Sequence, residues 1–381
     1  MRIAYYTPFK PLDHPRVSGV VTIARDLHDY LALRGHEPVL AATLPAEGIF
    51  RRPWRWPAAL TALRAVRHCR AHCDCWLTYH TYYKAPDLLG PVFRAPDRPY
   101  FIFAGAYASK RRKRLGTWAG YHLNRRALLA ADHIFSNKLA DFRNLRRIVP
   151  SEKLTYIRPG IRTEWFSPEP EAGARLRGQL GLDRMPVVVT AAMFRPGVKV
   201  LGLEWVIRAC GRLHQRGLPV GLLIVGDGPG RLGLEHLARA ELPGRAHFLG
   251  KLEREAMKLA YSAGDVFVFP GIHEGLGMVY LEAQCCGLPV VAFDHDGAPE
   301  VVVDGRTGLI TPSFDLDTFA LAIERLLTTP ALRHEMSAAA RAHVLERHDL
   351  LRNYQVMEAI MCEVTAALRP REPGPRRAAW A

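Results

Sequence analysis

The chain has 381 residues, too many for one typical hydrophobic core and enough for two domains. Its 49% hydrophobic and 23% charged residues are those of an ordinary soluble globular protein, and no apolar run approaches the roughly 20 residues that span a bilayer. The net charge of +15 points to an acidic partner (nucleic acid, an anionic membrane or a phosphorylated ligand), unless it reflects only a general arginine bias.

The opening MRIAYYTPF reads as a strand. It lacks a basic segment followed by an apolar run, so no signal peptide is expected and the protein is expected in the cytoplasm. SGVVTIARDLHDYLALRGH is an amphipathic helix stopping at Gly35, and PVLAATL is the next strand. WLTYH, PYFIFAG, HIFSN and KLTYIRPG continue the strand pattern, which makes a βαβ series and a parallel sheet covered by helices. Within this half, HCRAHCDC gathers His68, Cys69, His72, Cys73 and Cys75 at spacings that could place soft metal ligands on one helical face. No second CxxC or HxxxH half accompanies it, so small buried thiols are the plainer reading. Seven cysteines, an odd number, argue against a disulfide framework.

Residues 161–175 are rich in Pro, Gly and charge and read as a linker. A second series then runs through PVVVTAAMF, the helix EWVIRACGRLHQRG, PVGLLIVGDGPG, HFLG, DVFVFPG, PVVAFDH and GLIT. LLRNYQVMEAIMCEVTAAL is a last amphipathic helix, and the Pro/Arg-rich RPREPGPRRAAWA is expected to be disordered. The expected architecture is α/β: a doubly wound, Rossmann-like domain over 1–160, the linker, a second such domain over 176–349, a helix over 350–368 packing back on the first domain, and a tail over 369–381. Ligands of such sheets sit beyond the carboxyl ends of the strands, here in a cleft between two facing domains.

Directly after the strand DVFVFP comes HEGLGMVYLEAQCCGLPVV. Gly275 and Gly277 permit close approach of backbone to a ligand. A helix starting near Leu276 would offer free N–H groups and a positive dipole end, a cradle for a diphosphate. Glu274 lies before that helix and Glu282 about two turns inside it. Each can accept hydrogen bonds from sugar hydroxyls, one at either end of a diphosphate, and a sugar nucleotide is such a ligand. A local cap or salt bridge is the plainer reading of Glu282. VGDGPG supplies G-x-G, but the third glycine of a dinucleotide fingerprint would fall at Arg231, which disfavours an oxidoreductase. Asp294-His295-Asp296 and Asp315-Leu316-Asp317 are D-x-D strings. The first abuts GAPE and the second starts a helix as its cap, so neither is assigned a metal.

This block resembles the retaining nucleotide-sugar glycosyltransferases of GT-B fold, the family 4 group. The match is E-x7-E from Glu274 to Glu282, then GLPVV, then GAPEVVVDGRTGLI. The resemblance runs through nearly the whole chain, from MRIAYYTP and the RGHEP helix end to the final helix. It implies hexose transfer from a nucleotide-diphosphate sugar with retention, in cell-surface polysaccharide, lipopolysaccharide or glycolipid assembly, with no cofactor and no metal. Glu282 resembles the ribose-binding acid and Glu274 the acid on the donor sugar. Gly275, Leu276, Gly277 and Met278 resemble the sugar and diphosphate cradle. Arg195 and Lys199, in AAMFRPGVKV, resemble the pair that holds the diphosphate, although the spacing runs one residue shorter. Two cations there suit a leaving group that gains charge. Gly250, Lys251 and Leu252 fall where the family's backbone grips the base, and Gly226 lies in the turn beside the nucleotide. The resemblance implies no protein nucleophile; Glu274 in that role would be the glycosidase-like alternative.

The N-terminal half matches less well. Gly19, after Ser18, stands for the family's paired glycines. The family's His after the strand PYFIFAG is missing, since the chain reads FAGAY and ends that motif on Tyr107. His80 is the other acceptor-side candidate, or else a structural histidine. IFRRPWRWPAALTALRAVRHCR, with Trp54 and Trp56, and SKRRKRLGTWAGYH, with Lys110, Arg111, Arg112, Lys113 and Arg114 beside Trp118, suit an anionic membrane. The expected partners are a nucleotide sugar and a lipid-linked acceptor, with the enzyme peripheral on the inner face of the cytoplasmic membrane. Nucleic acid is not expected, because no RNP, KH or zinc-finger signature is present. The alternatives are a catalytically weak scaffold of the same fold and a basic nucleic-acid-binding protein, the latter supported by charge alone.

Overall fold

The computed structural model describes residues 1–14, 19–49 and 56–369. The chain divides into two compact units, one made of Met1–Ile157 and the chain from Tyr354 on, the other of Arg158–Asn353.

The first unit is built on six strands: β1 (Arg2–Tyr6), β2 (Glu37–Ala42), β3 (Cys75–Tyr79), β4 (Tyr100–Phe103), β5 (His133–Ser136) and β6 (Leu154–Tyr156). They form one sheet in the order β2-β1-β3-β4-β5-β6, and every pairing is parallel. The strands CWLTY and YFIF are buried at every position, as central strands must be when helices cover both faces. Trp76, Tyr100, Ile102 and Ile134 lie at the centre of that core. The order reverses between β1 and β3, so the loops beyond their carboxyl ends part there.

The final helix, Leu350–Leu368, enters this unit at Tyr354. Tyr354 packs edge-on against Tyr30 and Phe103, with ring centroids 5.4 and 5.5 Å away. One helical turn further, Glu358 accepts hydrogen bonds from Tyr30 Oη (2.5 Å), Arg34 Nε (2.9 Å) and His36 Nε2 (3.1 Å). A single carboxylate thus ties the last helix to the end of the first one, Gly19–Leu33.

The second unit holds β7 (Val187–Ala191), β8 (Gly221–Val225), β9 (Ala246–Gly250), β10 (Val266–Val268), β11 (Val290–Phe293) and β12 (Gly308–Thr311). Its order is β12-β11-β10-β7-β8-β9, again wholly parallel. This is the doubly wound dinucleotide-type order, reversing between β7 and β10.

Two elements differ from the sequence reading. The stretch read as a linker contains the helix Pro170–Gln179. Its proline occupies the first turn, where no N–H is needed, and a Cβ on its Gly173 would lie 2.2 Å from the Ser262 carbonyl. Residues that look like linker composition therefore start a helix and let it pack closely. The helix expected to open at EWV begins at Val198 instead. Its Gly202 admits the Phe269 ring, which a Cβ would meet at 3.0 Å. The tail from residue 370, together with Trp54 and the arginines around it, lies outside the described residues; Arg369 pairs with Asp74 at 2.6 Å.

The Glu358 clamp sets a pH limit. Burial alone pushes its carboxyl up, but the hydrogen bonds from Tyr30, Arg34 and His36 outweigh burial and hold it below the usual carboxylate range. A depressed carboxyl stabilises the fold above its unfolded value, near 4.5, and loses that contribution as pH falls through the folded value. Glu358→Gln is expected to cost about 1–3 kcal/mol at neutral pH. It should also flatten the loss of stability below about pH 4.5. Urea unfolding of both proteins across that range checks it; an unchanged acid limb would contradict the assignment.

Candidate functional site

Strands β7 and β10 are neighbours, and each ends in a loop that leads into a helix. The loop after β7 ends at Gly197 (φ 99°), where Val198–Gln215 begins. The loop after β10 ends at Gly277 (φ 60°), where Met278–Cys285 begins. Two sets of free backbone N–H groups therefore emerge at the point where the strand order reverses, the crevice in which open α/β sheets bind ligands.

Lys199 is the second residue of the first of these helices, and its ammonium touches Glu274 Oε2 on the other loop. Both side chains are largely enclosed, at 16% and 22% exposure. The ammonium also lies 5.4 Å above the Phe269 ring. Burial first, and the Arg195 guanidinium second, pull Lys199 down to about 8. At that value Lys199 is still charged at neutral pH, and the Glu274 carboxylate in contact with it is its counter-ion. Arg195 is exposed at the tip of the loop after β7.

The Glu274 loop is wound around one buried phenol. Tyr280 Oη donates to the Phe269 carbonyl at 2.9 Å. A Cβ at Gly271 or Gly277 would come within 2.2 or 2.3 Å of the same side chain. Gly297 closes the loop from the far side. Its N–H donates to the Glu274 carbonyl at 3.0 Å, and a Cβ there would lie 2.6 Å from the Gly275 carbonyl oxygen. Met278 opens the helix, Gly275 and Leu276 are partly exposed on the loop, and the GAPE segment braces them.

Glu282 is the fifth residue of the helix Met278–Cys285, little more than one turn from its start rather than two. Tyr261 Oη donates to its Oε2 at 2.9 Å from the helix Arg254–Ser262. Burial, and then the Glu282 charge, push the Tyr261 phenol well above its ordinary range, so it stays a donor. Glu282 is held from a neighbouring helix and does not cap its own.

Gly226 and its turn support the Arg195 loop. A Cβ at Gly226 (φ 135°) would lie 1.8 Å from the Ala192 carbonyl, so no other residue fits there. Phe194 N–H donates to Asp227 (3.0 Å) and Gly230 N–H donates to Phe194 (2.9 Å), which wraps the VGDGPG turn around the loop. Gly250 ends β9 with φ 72° and accepts from Gly226 N–H at 2.8 Å. Lys251 is exposed and pairs with Glu253 at 3.0 Å, while Leu252 packs against the core of this unit. Tyr280 and Tyr261 were not singled out from the sequence. The only signal was the interval of three residues between Gly277 and Tyr280.

The remaining candidates lie in the first unit. Gly19 is the exposed first residue of its helix, with open space where a Cβ would go. His80 follows β3 at the strand-order reversal and packs among the rings of Phe9, Tyr79 and Tyr82. Burial pulls it down to about 4, so it is neutral at physiological pH. Tyr107 Oη lies 3.0 Å from Tyr121 Oη. Lys110, Arg112, Lys113 and Arg114 are exposed, and Arg111 stacks 4.9 Å over Tyr83. Leu115 and Trp118 beside them are 98% and 55% exposed. Cys69, Cys73 and Cys75 are buried thiols. Asp315 caps its helix, accepting from Thr318 N–H at 3.1 Å. Among the described residues, the group that brings potential metal-ligating atoms together is His273, His295 and Asp296.

Comparison with known proteins gives the family and the fold. The family model for glycosyl transferases group 1 matches residues 186–343, which cover the second sheet. Alpha-D-kanosaminyltransferase of Streptomyces kanamyceticus is 32% identical over 323 residues, covering 80% of this chain and 81% of that one. A GDP-mannose-dependent alpha-(1-6)-phosphatidylinositol monomannoside mannosyltransferase of Mycolicibacterium smegmatis is 37% identical over 206 residues. That match covers 52% of this chain and 53% of the relative, so the chain spans about half the length of that protein. The crystal structure of Anabaena HepE in complex with UDP superposes with a TM-score of 0.74 at 19% identity, over 95% of this chain and 100% of that one. Two six-stranded parallel sheets of this kind define a GT-B fold. The chain belongs to the group 1 glycosyltransferases, the family its Glu274–Glu282 block resembles.

The glycines divide into two kinds, and substitution should separate them. Gly277→Ala forces a Cβ into the left-handed region and against Tyr280 and is expected to cost about 1–3 kcal/mol. Gly19→Ala, at an open helix start, should change stability by no more than about 0.5 kcal/mol. Urea midpoints of the two variants measure the difference, and equal effects would contradict the loop packing described.

Proposed function

We propose that this protein transfers a hexose from a nucleotide-diphosphate sugar to an acceptor hydroxyl, with retention at the anomeric carbon. The observation that carries this reading is the Lys199–Glu274 contact at the strand-order reversal, between two helix N-termini. In the free protein each of these side chains is the other's counter-ion. An arriving diphosphate takes over Lys199, with Arg195 as the second cation, and releases Glu274 to bind hydroxyls of the donor sugar. Glu282, held by Tyr261, accepts from the ribose. The bond from the anomeric carbon to the diphosphate oxygen breaks with its electron pair going to that oxygen. Arg195, Lys199 and the helix N-termini stabilise the charge that develops there. The acceptor oxygen bonds on the same face, and its proton passes to the departing phosphate oxygen.

The relatives support the substrate classes. One is by name GDP-mannose-dependent and acts on a phosphatidylinositol monomannoside, and a structural neighbour was crystallised with UDP. An acceptor carrying a lipid suits the exposed cations Lys110, Arg112, Lys113 and Arg114 beside exposed Leu115 and Trp118, a combination that favours an anionic bilayer surface. No helix among the described residues is long and apolar enough to cross a membrane. The reading is therefore a peripheral enzyme on the cytoplasmic face, in cell-envelope glycolipid or polysaccharide assembly.

Thermal unfolding with UDP, GDP, ADP and their hexose conjugates tests the donor. A ligand at 100 times its Kd stabilises by about 2.7 kcal/mol. One base should raise Tm by several degrees, and Glu282→Ala should abolish the rise. No rise with any of them, in folded protein, would end the donor assignment. Anomeric configuration of the product, read by NMR, decides retention.

Co-sedimentation with vesicles tests the surface. Binding to anionic vesicles should exceed binding to neutral ones and weaken steeply with salt. The triple variant Lys110→Glu, Arg112→Glu, Lys113→Glu should lose it. Equal and negligible binding to both vesicle types would remove the membrane from the proposal.

A further inference from the structure

The geometry points to a second site that the donor reading does not use: His273, His295 and Asp296 form a binding site for a divalent transition-metal cation of the zinc class. The three come from two loops, the one after β10 and the one after β11, and each brings one ligating atom within 4.8 Å of the others. Asp296 Oδ2 lies 3.4 Å from His273 Nδ1 and 3.3 Å from His295 Nδ1. Zinc holds such ligands at about 2.0–2.2 Å, which in a tetrahedron places neighbouring ligand atoms about 3.3–3.5 Å apart. Both distances are those of a tetrahedral edge. Two imidazoles and one carboxylate, without thiolate, suit zinc, iron(II) or manganese better than the all-oxygen sites of calcium and magnesium.

A plain charge cluster accounts less well for the same atoms. His295 Nδ1 is buried and makes no hydrogen bond, although Asp296 Oδ2 is 3.3 Å away. Two ring nitrogens thus converge on one carboxylate oxygen, and at His295 the angle is wrong for a hydrogen bond. A cation shared by all three satisfies that nitrogen. The rings themselves are edge-to-face at 5.1 Å, close enough to share an ion and free of steric overlap. His273 and Asp296 both hold left-handed backbone, at φ 53° and 46°, a conformation uncommon outside glycine.

The location gives the site a consequence. His273 directly precedes Glu274, and Gly297, directly after Asp296, donates its N–H to the Glu274 carbonyl. A bound metal would tie together the two loops that fix the Glu274 backbone. Three protein ligands leave at least one position for water or a ligand oxygen. Asp294-His295-Asp296 does not announce this in the sequence, because its partner lies on another loop and only His295 and Asp296 of the string take part.

The experiment is zinc titration by calorimetry on the full chain after chelator treatment and buffer exchange, in a His68→Ala, His72→Ala background. Those two exposed histidines, with ring centroids 4.5 Å apart, are a competing zinc pair. One equivalent is expected to bind, and His273→Ala, His295→Ala and Asp296→Asn should each weaken it at least tenfold. Cobalt(II) in the same protein should show visible d–d absorption without a thiolate charge-transfer band. Circular dichroism of the metal-free variants controls for folding. His273, whose side chain is 70% exposed, supplies the variant expected to keep its fold if His295→Ala does not. Absence of saturable binding, affinity unchanged by His273→Ala, or a thiolate band would overturn the site.

Discussion

The second unit depends on one topological constraint: β7 and β10 lie side by side although they head opposite halves of the sheet. A parallel strand must return by a right-handed crossover, so helices that follow neighbouring strands of opposite halves leave on opposite faces. Their loops cannot close over one another. The crevice this opens is where Lys199 meets Glu274. The strand order brings together these two positions, which lie far apart in the chain.

Holding that contact open demands a stiff loop, and the stiffness comes from packing. The loop 269–277 carries few regular hydrogen bonds of its own, so its path is set by Tyr280 from beneath and Gly297 from the side. The arrangement is reciprocal. A tyrosine fits under the loop because residues 271 and 277 lack side chains, and those glycines are required because the tyrosine fills the space. The Arg195 loop follows the same logic around Phe194, with Gly226 and Gly228 pressed against its backbone. Rigid loops present charges without reorganisation, which is what stabilising a developing charge requires.

How much of this was legible follows from range. The strands of both sheets were readable because buried parallel strands are continuous apolar runs, as in CWLTY and GLLIV. The Glu274–Glu282 block was readable because its residues are close in sequence and their chemistry is local. The helix Pro170–Gln179 was not, because Gly173 has a tertiary purpose, close passage beneath Ser262, that composition cannot distinguish from looseness. Nor was the early start at Val198, where apolar periodicity is masked by Lys199 pointing to a partner on another loop. Tyr261, Tyr280 and His273 act only through space. A sequence lists such residues without their partners.

The Lys199–Glu274 pair also bears on the charge balance of the crevice. A largely enclosed ammonium beside a guanidinium is costly to keep charged unless an opposite charge faces it. Glu274 supplies that balance in the free protein, and by the same token weakens the positive field that a diphosphate would meet. Removing Glu274 would therefore not simply delete a hydroxyl acceptor. It would leave two neighbouring cations without that counter-ion and raise the attraction for any anion. A loss of transfer in such a variant alongside retained or tighter nucleotide binding is what separates a residue that acts on the sugar from one that merely holds the site together.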